Sequence, residues 1–193
     1  MQDYHEFLAD ILIPKEILQK RVMELGVQIS QDYAGKEPIL ICILRGGVMF
    51  LTDLMRSISI PHSIEFMAVS SYGSGRRESS GSVRITLDLG VNIESRHVIL
   101  VEDIIDSGRT ISSVLELLSA RHPDTLRVCT LLDKAERREV EVPIAYRGFT
   151  IPDRFVFGYG LDIDEFYRNL PFIGVVDLAR YNLGTEPVND EVD

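Results

Sequence analysis

No run of apolar residues in this 193-residue chain reaches the ~18 that would span a membrane. The opening MQDYHEFLAD is acidic and has no basic stretch ahead of an apolar one, so a secretion signal is not expected. Cysteine occurs only twice, as Cys42 and Cys129, each inside an apolar strand-like run. Buried free thiols in a reducing cytoplasm fit these two better than a disulfide or a metal pair. Positive charge is also short: 20 Lys and Arg stand against 30 Asp and Glu, for a net charge of −10. No Lys/Arg cluster breaks that balance, so neither nucleic acid nor a membrane surface is an expected partner. The nucleotide-loop patterns GxxxxGK[ST] and GxGxxG are missing, as are internal repeats and low-complexity segments.

What remains, 45% hydrophobic and 26% charged residues, is the composition of a single globular domain. Its most informative stretch is Val98 to Ile111, VILVEDIIDSGRTI. Val98 to Val101 form a short, β-branched apolar run that suits a parallel strand buried on both faces. From about Thr110 to Ala120, Ile111, Val114, Leu115 and Leu118 recur at helical spacing. The polar residues between them therefore sit on a strand-to-helix turn, at the end of the strand where open α/β sheets bind ligands. Ser107, Gly108, Arg109 and Thr110 offer hydroxyls, backbone N–H groups and a helix N-terminus to an anion, with phosphate the usual guest. Glu102, Asp103 and Asp106 would repel a phosphate. They make sense facing sugar hydroxyls, a Mg2+ ion or a proton to be removed. A phosphorylated sugar with a metal-bound pyrophosphate meets all three requirements. Any one of these residues alone reads as a solvated, capped turn; the ordered combination does not.

The remaining chain alternates helix and strand. Residues 14 to 33 read as a helix, with Leu18, Val22, Leu25, Ile29 and Tyr33 on one face and Gly35 as a stop. Ile39 to Leu44 reads as a buried strand. It ends at Arg45-Gly46-Gly47, and a helix from Val48 to about Arg56 follows. Here an anion-binding turn and a packing role for the glycines weigh equally. Ile64 to Ser70 and Arg84 to Leu89 read as strands flanking a Gly/Ser-rich loop, residues 71 to 84, which is either a lid or a hairpin tip. Leu126 to Leu132 reads as another buried strand, ending at Asp133-Lys134. Taken alone, Lys134 is a surface lysine and Phe155 a core aromatic. Glu136 to Glu141, ERREVE, reads as a solvated mixed-charge turn. The tail TEPVNDEVD reads as a frayed acidic end.

VILVEDIIDSGRTI resembles the signature of the phosphoribosyltransferases that use 5-phosphoribosyl-1-pyrophosphate, most of all their hypoxanthine-guanine branch. Other branches usually lack an acid at the position of Asp106. The resemblance extends over roughly residues 10 to 180. It covers Leu44-Arg45-Gly46-Gly47, similar to a pyrophosphate-binding loop with a cis peptide, and the segment from Ile151, IPDRFVFGYGLDIDEFYRNLPFIGVVDL. Arg45 and Arg109 stand where many relatives carry Lys, which keeps the charge but changes its geometry.

The resemblance implies transfer of phosphoribose to N9 of a 6-oxopurine, hypoxanthine or guanine, releasing pyrophosphate: a purine salvage reaction with Mg2+ as cofactor. It implies that Leu44, Arg45, Gly46 and Arg168 lie at the pyrophosphate. Glu102, Asp103 and Ile104 would lie at the ribose, and Ser107 to Thr110 would hold the 5′-phosphate. Lys134, Phe155 and Val156 would hold the base, with Asp106 as general base. Ser71 and Tyr72 would open a closing loop, and Glu102, Asp103 and Asp162 would stand near Mg2+. Asp106, Lys134 and Phe155 together disfavour a pyrimidine or adenine substrate. A sugar-pyrophosphate sensor that binds nucleic acid is disfavoured by the net charge. The expected fold is α/β, with a mainly parallel sheet flanked by helices. Residues 1 to 193 would form one domain, with a core of about 35 to 150 and a small hood from about 1 to 13 and 151 to 193. A cytoplasmic homodimer or homotetramer is expected, and no residue chooses between the two assemblies.

Overall fold

The computed structural model describes residues 2–71 and 83–182. A short helix α1 (Tyr4–Phe7) leads into β1 (Leu8–Ile13). Pro14 then occupies the N-cap of α2 (Lys15–Asp32), where its missing N–H costs nothing. After β2 (Ile39–Ile43) come α3 (Val48–Ser57), β3 (Ser63–Ser71), β4 (Val83–Leu87) and β5 (His97–Ile105). Then follow α4 (Arg109–Ser119), β6 (Thr125–Asp133) and β7 (Ile144–Thr150). The chain closes with β8 (Val156–Phe157), β9 (Ile173–Val176) and α5 (Leu178–Asn182). No described helix is long and apolar enough to cross a membrane.

Six strands make the main sheet in the order β4-β3-β2-β5-β6-β7. All neighbours are parallel except the edge pair β3 and β4. Every residue of β2 is buried because both faces of the sheet are covered. On one face Leu40, Cys42, Ile99 and Val101 pack with Leu18, Leu25, Phe50 and Leu54 of α2 and α3. On the other, Ile39, Ile41, Val98 and Leu100 pack with Ile111, Val114 and Leu118 of α4. Successive strand residues alternate between the two cores, as a period of two requires. The expected α/β fold with a mainly parallel sheet is the fold observed. Both cysteines are buried and free.

The chain ends build a second, antiparallel sheet in the order β1-β9-β8. Its core is aromatic: Phe7 and Phe157 are fully buried with Ile163, Leu170 and Val176.

One difference from the apolar pattern matters for the site. β5 does not end with its apolar run at Val101 but continues through Glu102 and Asp103 to Ile105. Pairing with β6 carries it on, since Glu102, Ile104 and Ile105 face Thr130, Leu132 and Asp133. On its other side, pairing with β2 stops at Cys42 and Val101. β2 turns away while β5 runs on, and this opens a notch beside the two acids.

Candidate active site

The notch lies where the winding of the sheet reverses. From β2 the chain moves to β3 on one side, then returns to place β5 on the other. The carboxyl ends of two such strands diverge, and their following loops leave a crevice. The β2 loop supplies Leu44, Arg45 and Gly46; the β5 end supplies Glu102 to Thr110. The Leu44–Arg45 peptide is cis. A Cβ at Gly46 would sit well inside van der Waals contact with the carboxylate of Asp103, so only glycine lets this loop lie against the acid.

Glu102 and Asp103 are crowded, poorly hydrated acids. Burial, then the neighbouring Asp103, pushes the Glu102 carboxyl well above its ordinary range. Its Oε2 is buried without a hydrogen-bond partner. Burial likewise raises Asp103 to about 6, against the backbone N–H of Ile104, which donates to Oδ1 over 2.8 Å. A pair of hindered carboxylates with an orphaned oxygen is a place for a cation. No group of three or more His, Cys, Asp or Glu among the described residues makes a protein cage for one. Mg2+ suits such a site, because it takes one or two carboxylates and fills the rest with water and substrate oxygens.

Beyond the acids the chain turns at Ser107 and Gly108 into α4. Gly108 has φ of 84°, a conformation that other residues rarely adopt, and its Cα faces the Val140 carbonyl and Arg138. The helix receives no side-chain cap from that position. Thr110 lies in the first helical turn, and Arg109 Nε donates to Glu139 over 2.7 Å.

Lys134 follows the last residue of β6. Its backbone N–H donates to the Ile105 carbonyl over 3.0 Å, which fixes it beside the β5 turn. Only 6% of the residue is exposed. Its Nζ lies 3.7 Å from Asp153 Oδ1, so the surface-lysine reading does not hold. Phe155 is 49% exposed and is no core aromatic. Val156 is buried at the start of β8.

The 158–170 segment closes the other side. Arg168 reaches Asp162 Oδ1 at 2.8 Å, and the charges of both bear on Asp103. Glu165 pairs with Arg45 at 2.8 Å and with Arg168 at 3.2 Å, joining the β2 loop to this segment. Ser71 ends β3, its backbone paired with Val83. Tyr72 and most of the 71–84 loop lie outside the described residues, as does the acidic tail.

Several participants escaped the sequence reading: Asp133, Arg137, Arg138, Asp153 and Glu165. The 136–141 turn is largely exposed, as expected, but its charges also pair with the site. Arg137 pairs with Asp106 at 3.1 Å, Arg138 with buried Asp133, and Glu139 with Arg109. The partners of Arg137 and Glu139 lie about a strand and a helix away in the chain, so local composition carries no trace of these pairs. The available signal was position: the segment directly follows a strand end that carries a lysine.

The chain matches the model of the phosphoribosyl transferase domain over residues 12–164. It is 48% identical to the hypoxanthine phosphoribosyltransferase of Salmonella typhimurium, a match covering 88% of this chain and 96% of that one. It is 51% identical to the hypoxanthine-guanine phosphoribosyltransferase of Mycobacterium avium, covering 90% and 88%. Among solved structures, a hypoxanthine phosphoribosyltransferase from Staphylococcus aureus superposes with a TM-score of 0.87 at 46% identity, over 90% of this chain and 94% of that one.

Proposed function

The chain belongs to the phosphoribosyl transferase family, and from that premise we propose which of its residues carry the reaction. The enzyme works in purine salvage: it transfers phosphoribose from 5-phosphoribosyl-1-pyrophosphate to N9 of hypoxanthine or guanine. The C1′–oxygen bond breaks, its electron pair leaves with pyrophosphate, and the N9–C1′ bond forms. The N7–H bond of the purine breaks as well, and its proton must go to a base.

Little covalent work falls on the protein, so catalysis is positioning and electrostatics. Ser107 to Thr110 hold the 5′-phosphate with backbone N–H groups and hydroxyls at the mouth of α4. Glu102 and Asp103 accept from the ribose hydroxyls, with Ile104 between them. Leu44, Arg45 and Gly46 line the pyrophosphate, and Arg168 faces it. Glu165, which bridges Arg45 and Arg168 here, gives way to the more highly charged ligand. Lys134 donates to the 6-oxo group. Phe155 stacks on the purine, and Val156 meets its edge through backbone atoms. Asp106 takes the N7 proton. Ser71 and Tyr72 begin the loop that closes on the substrate.

Glu102 and Asp103 are the residues that would hold Mg2+, with Asp162 nearby. Once bound, Mg2+ offsets the negative charge that develops on the pyrophosphate leaving group. Two buried free thiols fit a reducing compartment, so the proposed location is the cytoplasm, with the enzyme as a homodimer or homotetramer.

One observation carries the assignment of base and sugar. The Lys134 to Ile105 backbone bond ties a buried lysine to the strand end just before Asp106 and the anion-binding turn. A keto-purine reaching that amine from a ribose held at Glu102 and Asp103 has its N7 edge toward Asp106. The test is pyrophosphate release from the sugar pyrophosphate with hypoxanthine, guanine, xanthine and adenine in turn. Release with the 6-oxopurines and not with adenine is expected. Release with adenine at a comparable rate would overturn the role given to Lys134.

A further inference from the structure

The stretch between Lys134 and β7 touches the β5 turn at several points. Its one 3-10 turn, Ala135–Arg137, follows a Lys134 already tied to Ile105. The N–H groups of Glu139 and Val140 both donate to the Ser107 carbonyl, over 2.9 and 3.1 Å. Arg138 is pinned by Asp133, which is 2% exposed and also takes Arg147 Nε at 2.9 Å. The backbone of Arg137 is thus held between fixed neighbours, and its half-exposed side chain lies over the β5 turn.

It points at the acid beside the purine site. Arg137 Nε lies 3.1 Å from Asp106 Oδ1, and Nη1 lies 3.6 Å from Asp153 Oδ1. Asp153 is also the carboxylate nearest Lys134 Nζ. One guanidinium therefore joins the acid at the purine N7 to the carboxylate beside the amine at the purine 6-oxo group. Asp106 Oδ1 is buried and makes no aligned hydrogen bond, so the contact is purely an ion pair. The side chain as a whole remains 42% exposed, and that exposure belongs to its other atoms.

We propose that Arg137 is a positioning residue for Asp106: it holds Oδ1 by charge and so presents the second oxygen to the N7 proton. The proposal rests on the general-base reading of Asp106. A stability role is the competing account, and exposure argues against it. Both partners are about half exposed, and such pairs add little to folding. An ion pair of small folding value on the acid meant to take the proton has its effect on the reaction.

The test is a set of four variants, Arg137→Gln, Arg137→Lys, Asp106→Asn and the double variant Arg137→Gln/Asp106→Asn. Single-turnover rates, KM for both substrates and melting temperatures are measured for each. Asp106→Asn should slow turnover about 100- to 10,000-fold, the usual worth of a general base. Arg137→Gln should slow it about 10- to 100-fold, the scale of a misplaced catalytic group, with the sugar-pyrophosphate KM and the melting temperature close to wild type. Arg137→Lys should recover most of that loss. In the Asp106→Asn background, Arg137→Gln should cost less than about twofold, because there is no proton acceptor left to position. Equal losses in both backgrounds, or an unchanged rate in Arg137→Gln, would overturn the positioning role alone. An unchanged rate in Asp106→Asn would overturn the general-base reading, and the positioning role with it.

Discussion

Replacing Lys134 by Met keeps the length and apolar stem of the side chain and removes only the charged donor. The site favours a clean result. Lys134 is 6% exposed, and its nearest carboxylate oxygen, on Asp153, is 3.7 Å away, beyond hydrogen-bond range. The amine is therefore close to a counter-charge but unsaturated, with donors to spare for a ligand. Asp153 is half exposed and keeps Arg137 at 3.6 Å, so the substitution strands no buried charge. A charged hydrogen bond contributes ~1.5–3 kcal/mol, and on the proposed reading Lys134 makes one to the purine 6-oxo group. The expected loss in kcat/KM for hypoxanthine and guanine is thus about 10- to 150-fold, at ~1.4 kcal/mol per tenfold. Binding of the sugar pyrophosphate, proposed to use the β2 loop and the α4 turn, should change little. Steady-state kinetics with each substrate varied, beside a melting curve, measures this. Equal loss toward purine and sugar pyrophosphate would refute the reasoning and make Lys134 a brace for the Ile105 turn.

Gly46→Ala should push the new methyl into the Asp103 carboxylate and displace it; kcat/KM for the sugar pyrophosphate should fall at least about tenfold, the scale of a small misplacement at a reacting centre. Wild-type values would mean that the loop moves away from Asp103 freely. Asp133→Asn removes the shared partner of Arg138 and Arg147. Breaking a buried pair costs ~3–5 kcal/mol, and the exposure of Arg147 points to the lower end. At ~2–4 °C per kcal/mol for a chain of this size, calorimetry should show a melting temperature lower by about 6–12 °C.

What could be read from the sequence follows the range of the physics involved. β2, β5 and β6 are legible because burial on both faces demands unbroken apolar runs, and residues 39–44, 98–101 and 126–132 supply them. The helices α2 and α4 are legible because each buries one stripe. The β5 turn is legible because its chemistry is local: serine, glycine, arginine and threonine stand at adjacent positions, at a strand end that leads into a helix. The hood is less so. β8 has two residues, and the turns after it place Tyr159, Asp164, Glu165 and Tyr167 at positive φ, which no periodic pattern announces. β5 runs past its apolar pattern although two acids are poor strand formers; the ladder to β6, invisible from the sequence, outweighs that preference.

The 134–140 segment marks the limit most sharply. Its alternating charges are what a solvated turn would carry, and only the packing of β5 beside β6 converts them into partners for Asp106 and Arg109. That packing is itself a consequence of the two apolar runs. Parallel pairing brings Ile105 level with Asp133, so the residues after each strand emerge side by side. Lys134 then meets Ile105, Arg137 meets Asp106, and Glu139 meets Ser107 and Arg109. The register of β5 and β6 brings the two segments alongside each other, and the 3-10 turn at Ala135–Arg137 then shifts which of their residues meet. The apolar runs therefore do more than build the core: by setting one register they bring two charged segments outside the core side by side.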